Sequence, residues 1–100
     1  VFQPHTFTRT RDFVEEFATS FDDADIVIIT DVYAAREKPI EGVTGEIVAE
    51  AARRAGHRNV HYAADLHVAT SSVRQLSRPG DVVITLGAGD VWKVGRAFVD

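Results

Sequence analysis

Cysteine and methionine are both absent from this 100-residue chain. Without cysteine there is no disulfide framework, no thiolate metal centre and no cysteine nucleophile. No apolar run approaches the roughly 18 residues of a membrane helix, and no basic-then-apolar leader opens the chain, which argues against membrane insertion and secretion. Basic residues are the minority, 11 Lys and Arg against 15 Asp and Glu for a formal charge of −4, and this balance argues against nucleic acid as a partner. The strings G-x-x-x-x-G-K-[ST], G-x-S-x-G and His-Glu-x-x-His are missing too. The chain alone therefore has no lysine-bearing phosphate loop, no serine elbow and no zincin helix. The absent initiator methionine leads to the expectation that Val1 is not where translation begins and that the chain is part of a longer protein.

What is present is 45% apolar and 26% charged residues, enough for one core and one domain at this length. Ile26-Val27-Ile28-Ile29 and Val82-Val83-Ile84-Thr85-Leu86 are short continuous runs rich in β-branched residues, the pattern of strands buried on both faces of a parallel sheet. Val60-His61-Tyr62-Ala63 reads as a weaker third strand, and Val1-Phe2 as the last two residues of a fourth whose beginning is cut away. Helical spacing fills the gaps. Phe13, Val14, Phe17 and Phe21 share one face, with Thr10 placed to cap them. Ile47, Val48, Ala51, Ala52 and Ala55 form a second stripe between a Thr44 cap and a Gly56 stop. Asp65 opens a third helix through Val68, Ala69, Val73 and Leu76; Pro79-Gly80-Asp81 turns into the last strand, and Val91, Val94 and Phe98 mark a fourth helix. The order (β)αβαβαβα predicts an α/β fold in one domain over residues 1–100: a Rossmann-like, doubly wound, mostly parallel sheet with helices on both faces. The irregular stretch from Asp31 to about Val43 has the length of a functional loop.

Open α/β sheets bind ligands beyond the carboxyl ends of their strands. Four segments meet that condition: Gln3 to Arg9, Asp31 to Lys38, Ala63 to Asp65, and Gly87 to Asp90. In Gly87-Ala88-Gly89, amides at a positive helix end can approach an anion with no Cβ in the way; a tight turn that needs glycine conformations is the plainer reading. Trp92 stands where a dinucleotide fingerprint needs its third glycine, against a nicotinamide site. His5 and Arg9 flank the start of the first helix. An arginine there can hold a carboxylate or phosphate with two parallel bonds, or lie on the surface while His5 pairs with backbone. Asp31 and Tyr33 follow a buried strand, where an aspartate commonly serves a turn or cap. Arg36-Glu37-Lys38 reads as a solvated charge run, or as part of a loop able to close on a substrate. His57, His61 and His67 lack metal-ligand spacing and read as structural or surface residues. No residue is assigned as a catalyst or a metal ligand.

Three strings stand out as a set: Phe2-Gln3-Pro4-His5-Thr6-Phe7-Thr8-Arg9-Thr10-Arg11-Asp12, Asp31-Val32-Tyr33-Ala34-Ala35-Arg36-Glu37 and Leu86-Gly87-Ala88-Gly89-Asp90-Val91. In this order and spacing they resemble the C-terminal domain of the Mur ligases, and the resemblance covers the whole chain. Within the family they are similar to the members that join L-alanine to UDP-N-acetylmuramate in peptidoglycan precursor synthesis. The resemblance implies a cytoplasmic, three-domain ligase. Its first domain holds the UDP-sugar and its central one ATP and Mg²⁺; the third, Rossmann-like one closes over the centre and helps to bind the amino acid. The implied reaction activates the muramoyl carboxylate as an acyl phosphate; the amino group of alanine attacks, and a tetrahedral intermediate collapses to the amide.

The resemblance further implies that Arg9 pairs with the alanine carboxylate and that His5 and Tyr33 line the same site. It also implies that the backbone of Gly87, Ala88, Gly89 and Asp90 approaches the amino acid or the reacting centre. ATP and Mg²⁺ would lie mainly outside this chain, which by itself would be inactive. The chain departs from the family pattern at Thr6 and Phe7, where members often carry Arg and Tyr, at Arg36, where many carry Gly, and at Asp90, where many carry Asn. A competing reading is a stand-alone flavodoxin-like or receiver-like binding module. A receiver needs an acidic cluster where Gln3-Pro4-His5 stands, and a flavin site needs a phosphate loop that Thr6-Phe7-Thr8 imitates poorly.

Overall fold

The computed structural model describes residues 1–100 and places four helices and two strands in the order α1 (Phe7–Ala18), β1 (Val27–Thr30), α2 (Gly45–Arg54), β2 (Val60–Ala63), α3 (Leu66–Leu76) and α4 (Trp92–Val99). β1 and β2 run parallel, with Val27 opposite Val60 and Thr30 opposite Ala63. All four residues of β1 are buried, as its unbroken β-branched run predicts for a strand covered on both faces. Side chains alternate across it. Val27 and Ile29 enter one core with Phe21, Val48, Ala49, Ala52 and Val60, while Ile28 enters another with Ala63, Ala69, Val73, Val91 and Val94. α1 packs on α2, and α3 on α4, so helices lie on both faces. The Phe2 ring, 5.1 and 5.3 Å from those of Phe17 and Phe21, closes the first core where the chain begins.

Two further tracks extend the sheet beyond β1 without forming full strands. The Phe2 amide donates to the Ile28 carbonyl at 2.8 Å, and the Thr30 amide to the Phe2 carbonyl at 2.9 Å. On the far side of residues 1–3 the Gln3 amide donates to the Leu86 carbonyl and the Leu86 amide to the Val1 carbonyl. Each contact is a single parallel bridge. The strand expected over Val82–Leu86 is thus reduced to one bridged residue, and it is not buried on both faces: Val82 is 84% exposed, Ile84 59% and Leu86 52%. Only Val83 turns into the second core. The apolar run is as continuous as that of β1, but here only three residues offer it a neighbour, and no helix covers its second face.

Helix starts also depart from the expected caps. α1 begins four residues earlier than a Thr10 cap implies. Thr6 is the N-cap, its hydroxyl accepting from the Arg9 amide at 3.4 Å, while buried Thr10 donates its own hydroxyl to the Thr6 carbonyl at 2.7 Å. A break in helical geometry at Phe13 leaves that ring half exposed, off the stripe. Thr44 stands at the N-cap of α2 but makes no capping bond; the Asp31 carboxylate caps it from a distance, accepting from the Gly45 amide at 2.9 Å. Asp65 caps α3 as expected, accepting from the Val68 amide at 2.8 Å. Gly56 ends α2 with φ +106, a conformation that favours glycine.

Candidate functional site

The carboxyl ends of β1, β2 and the two further tracks meet around a cleft of about 250 Å³ lined by Gln3, Thr30, Asp31, Val32, Tyr33, Ala34, Ala64, Asp65, Leu66 and Asp90. All four segments singled out by the sequence therefore reach one edge. Of the named candidates, Tyr33 and Asp90 line the cleft directly. His5 joins it through Tyr33: the rings stack at 5.8 Å and 14°, and the strands under them exchange two hydrogen bonds of 2.8 Å, Tyr33 amide to Pro4 carbonyl and Thr6 amide to Tyr33 carbonyl. His5 Nδ1 is buried with no partner. Its ring is thus oriented by stacking rather than by a hydrogen bond. Gly87, Ala88, Gly89 and Arg9 do not line the cleft. Arg9 is exposed in the first turn of α1, and its guanidinium makes no hydrogen bond or ion pair within the chain.

The hub of this edge is Gln3, which sequence reasoning placed in the segment but gave no role. It is 5% exposed. Its Oε1 accepts from the Val91 amide at 3.2 Å, which fixes which way the amide group points. Nε2 must then face an acceptor, and the Asp90 carboxylate supplies it at 2.8 Å. An asparagine at 90 would offer the same acceptor, so this departure from the family pattern keeps the bond. Gly89 lies between Gln3 and Tyr33; a Cβ there would fall 2.4 Å from Tyr33 Cγ and 2.8 Å from Gln3 Oε1. The glycine turn is therefore a close-packing device around Gln3 and the Tyr33 ring.

The cleft is acidic, and two of its three carboxylates serve helix ends. Asp31 accepts from the Val32 and Gly45 amides, and Asp65 from the Val68 amide, where the positive end of each helix favours negative charge. Burial, and then the charge of nearby Asp31, push the Tyr62 phenol up to about 12. Its neutral form is the one the fold favours, so this contribution is complete below the ordinary value of 10 and is lost as pH rises through about 12. Absorbance titration is expected to show a tyrosine ionising near 12, and Tyr62→Phe should abolish that step. If the step survives the substitution, the assignment is wrong.

Other residues fall outside the cleft. His57 bridges the Ala24 carbonyl and the Asn59 amide, and His61 meets the Asn59 side chain, so both hold local structure; His67 is exposed on α3. The departure at Arg36 costs no backbone strain, because the left-handed residue of that turn is Ala35, with φ 56. The sequence reading gave Glu37 no partner. Though still open to solvent, its carboxylate accepts from the Phe7 amide, the Thr8 amide and the Thr8 hydroxyl at 2.6, 3.1 and 2.6 Å. These bonds, that of the hydroxyl first, hold its carboxyl below the usual value.

Against known proteins, the family described as "Mur ligase, glutamate ligase domain" matches residues 1–89. A UDP-N-acetylmuramate–L-alanine ligase of Salinibacter ruber is 53% identical over 100% of the chain and 21% of its own length. Proteins of the same name from an Anaeromyxobacter species and from Geotalea uraniireducens are 54% and 48% identical, over 95% and 99% of the chain and 20% and 22% of their own lengths. The chain spans about a fifth of the length of these curated relatives. Gln3, the 31–43 loop, the start of α1 and the glycine pair Gly87 and Gly89 all fall inside the matched residues, and the chain belongs to the Mur ligase family.

Proposed function

We propose that this chain is the amino-acid-binding, closing domain of an ATP-dependent ligase that joins L-alanine to UDP-N-acetylmuramate in peptidoglycan precursor synthesis, in the cytoplasm. The observation that carries the reading is the 44–54% identity to ligases of that name over nearly the whole chain. The fold proposed for it is the doubly wound, Rossmann-like sheet. Its support is the track order 60–63, 27–30, 1–3, 84–86 with two helices on either face. No helix is long and apolar enough to cross a membrane.

ATP and Mg²⁺ belong to the other domains in this reading. No three His, Asp or Glu side chains in the chain are arranged to hold a metal ion, and the acidic cleft has no cation to meet a triphosphate. The chain contributes position. Arg9, free of internal partners, takes the alanine carboxylate, while His5 and Tyr33 form the wall beside it and the Gly87–Asp90 turn brings backbone to the amine. Held in this way, the amine meets the muramoyl acyl phosphate: its nitrogen bonds to the carbonyl carbon, a proton leaves, and phosphate departs as the amide forms. Closure of the domain over the centre excludes water that would otherwise hydrolyse the acyl phosphate.

In the intact ligase, release of ADP and phosphate is expected to require both L-alanine and UDP-N-acetylmuramate. The isolated chain should show neither turnover nor calorimetric binding of ATP. Turnover or tight ATP binding by the pure 100-residue chain would overturn the proposal.

A further inference from the structure

The 31–43 loop is fastened to the start of α1 at two separate points. The first is the Tyr33 contact with residues 4–6 already described. The second is Glu37, whose carboxylate crosses 29 or 30 positions of sequence to reach the first two amides of α1. Those amides have no acceptor inside the helix, and they sit at its positive end. One Glu37 oxygen takes both, while the other takes the Thr8 hydroxyl. Between the two fastenings the chain turns tightly, the Glu37 amide donating to the Ala34 carbonyl at 3.0 Å. Ala35 in this turn and Thr6 opposite it hold φ of 56 and 63. Left-handed geometry at two non-glycine residues is unfavourable in a free segment and persists only when its surroundings impose it.

Two consequences follow for the amino-acid site. Loosening Glu37 releases the turn that carries Tyr33, and with it the ring stacked on His5. The anion-binding end of α1 is also already occupied by a carboxylate of the chain itself. An incoming carboxylate therefore has the Arg9 side chain, in the same first turn, as its partner rather than the helix amides. We propose that Glu37 is a positioning residue for the amino-acid site: docked on the end of α1, it holds Tyr33 against His5 and reserves Arg9 for the substrate. The inference rests on the functional reading above.

The test uses the intact ligase, with L-alanine and ATP varied separately. Glu37→Gln keeps the size and one acceptor oxygen but removes the charge that strengthens the bonds to the helix amides, and it is expected to raise KM for L-alanine about tenfold while kcat and KM for ATP change less than about twofold. Glu37→Asp, with the charge kept and the reach shortened, should recover part of the loss. Thr8→Val removes one of the three donors; it should raise the same KM by about threefold, and combined with Glu37→Gln should add nothing further, because both act on one contact. Hydrogen exchange of the Phe7 and Thr8 amides should quicken in Glu37→Gln. Equal losses for both substrates would make Glu37 a folding residue and overturn the proposal, as would quicker exchange with KM for L-alanine unchanged. If Glu37→Gln does not fold, Thr8→Val decides alone, and an unchanged KM for L-alanine overturns the proposal. A wild-type enzyme that does not need L-alanine defeats the functional reading itself, and this inference with it, before any variant is made.

Discussion

Replacing Gly45 with alanine is expected to lower the melting temperature of this chain by more than about 10 °C. Gly45 opens α2 directly against the end of β1. A Cβ built there would lie 1.9 Å from the Thr30 carbonyl oxygen, 2.8 Å from its carbon and 3.0 Å from Asp31 Cα, all of them backbone atoms at or just past the end of a buried strand. No side chain can rotate away to make room. The helix must slide, which also breaks the bond from the Gly45 amide to Asp31 and loosens Val48, Ala49 and Ala52 in the first core. Overpacking of this kind costs about 1–3 kcal/mol and sometimes more, set against a helix-propensity gain of about 1 kcal/mol for alanine. The contact here is tight enough, and the cap loss additional enough, to reach the upper end; about 4–8 °C per kcal/mol converts this to the stated shift. Gly56→Ala is the comparison. That position has open space around it, so only its left-handed backbone is penalised, by about 1–2 kcal/mol. Calorimetric melting of both variants beside the unsubstituted chain measures the difference, and a Gly45→Ala midpoint equal to that of the unsubstituted chain would mean that α2 yields without cost.

Arg9→Ala should lower kcat/KM for L-alanine by about ten- to a hundredfold in the intact ligase, the worth of roughly 1.5–3 kcal/mol for a hydrogen-bonded charge. The same substitution should leave the melting temperature unchanged, because the guanidinium makes no contact within the chain that could be lost. The combination separates a substrate contact from a structural one. Arg9→Lys should recover activity only in part, since an ammonium lacks the two-pronged geometry that suits a carboxylate. Arg11, already paired with Asp12 at 2.9 Å on the same helix, provides the control, and Arg11→Ala should leave alanine kinetics as they are. KM for ATP, held by the other domains in the proposed function, should barely move in either variant. Unchanged alanine kinetics in Arg9→Ala would return Arg9 to the surface.

What the sequence made legible was whatever is decided locally. The β-branched run of β1, the Asp65 cap of α3 and the glycine stop of α2 each follow from residues within a few positions of one another. The convergence of four segments on one edge followed from topology alone. The residues that hold this edge together did not, because their partners are far away in the chain: Gln3 meets Asp90 and Val91, Asp31 caps a helix starting 14 positions later, and Glu37 reaches back to Phe7 and Thr8. A polar side chain that caps a distant helix has the same local spelling as one in solvent. The Val82–Leu86 run was misread for the complementary reason. Its pattern matches that of β1, but burial depends on how many neighbours the sheet supplies.

That run carries a consequence for the chain as a material. The backbone groups of Val83 and Thr85 make no backbone hydrogen bond, while Val82, Ile84 and Leu86 stand exposed beside them. Between Asp81 and Asp90 there is neither a charge nor a proline. An open edge of this composition is a template on which another extended segment can add, including the same segment of a second copy. Such addition is bimolecular. It quickens with concentration, whatever the stability of the folded monomer, so the working lifetime of the separate chain in solution is governed by how crowded it is.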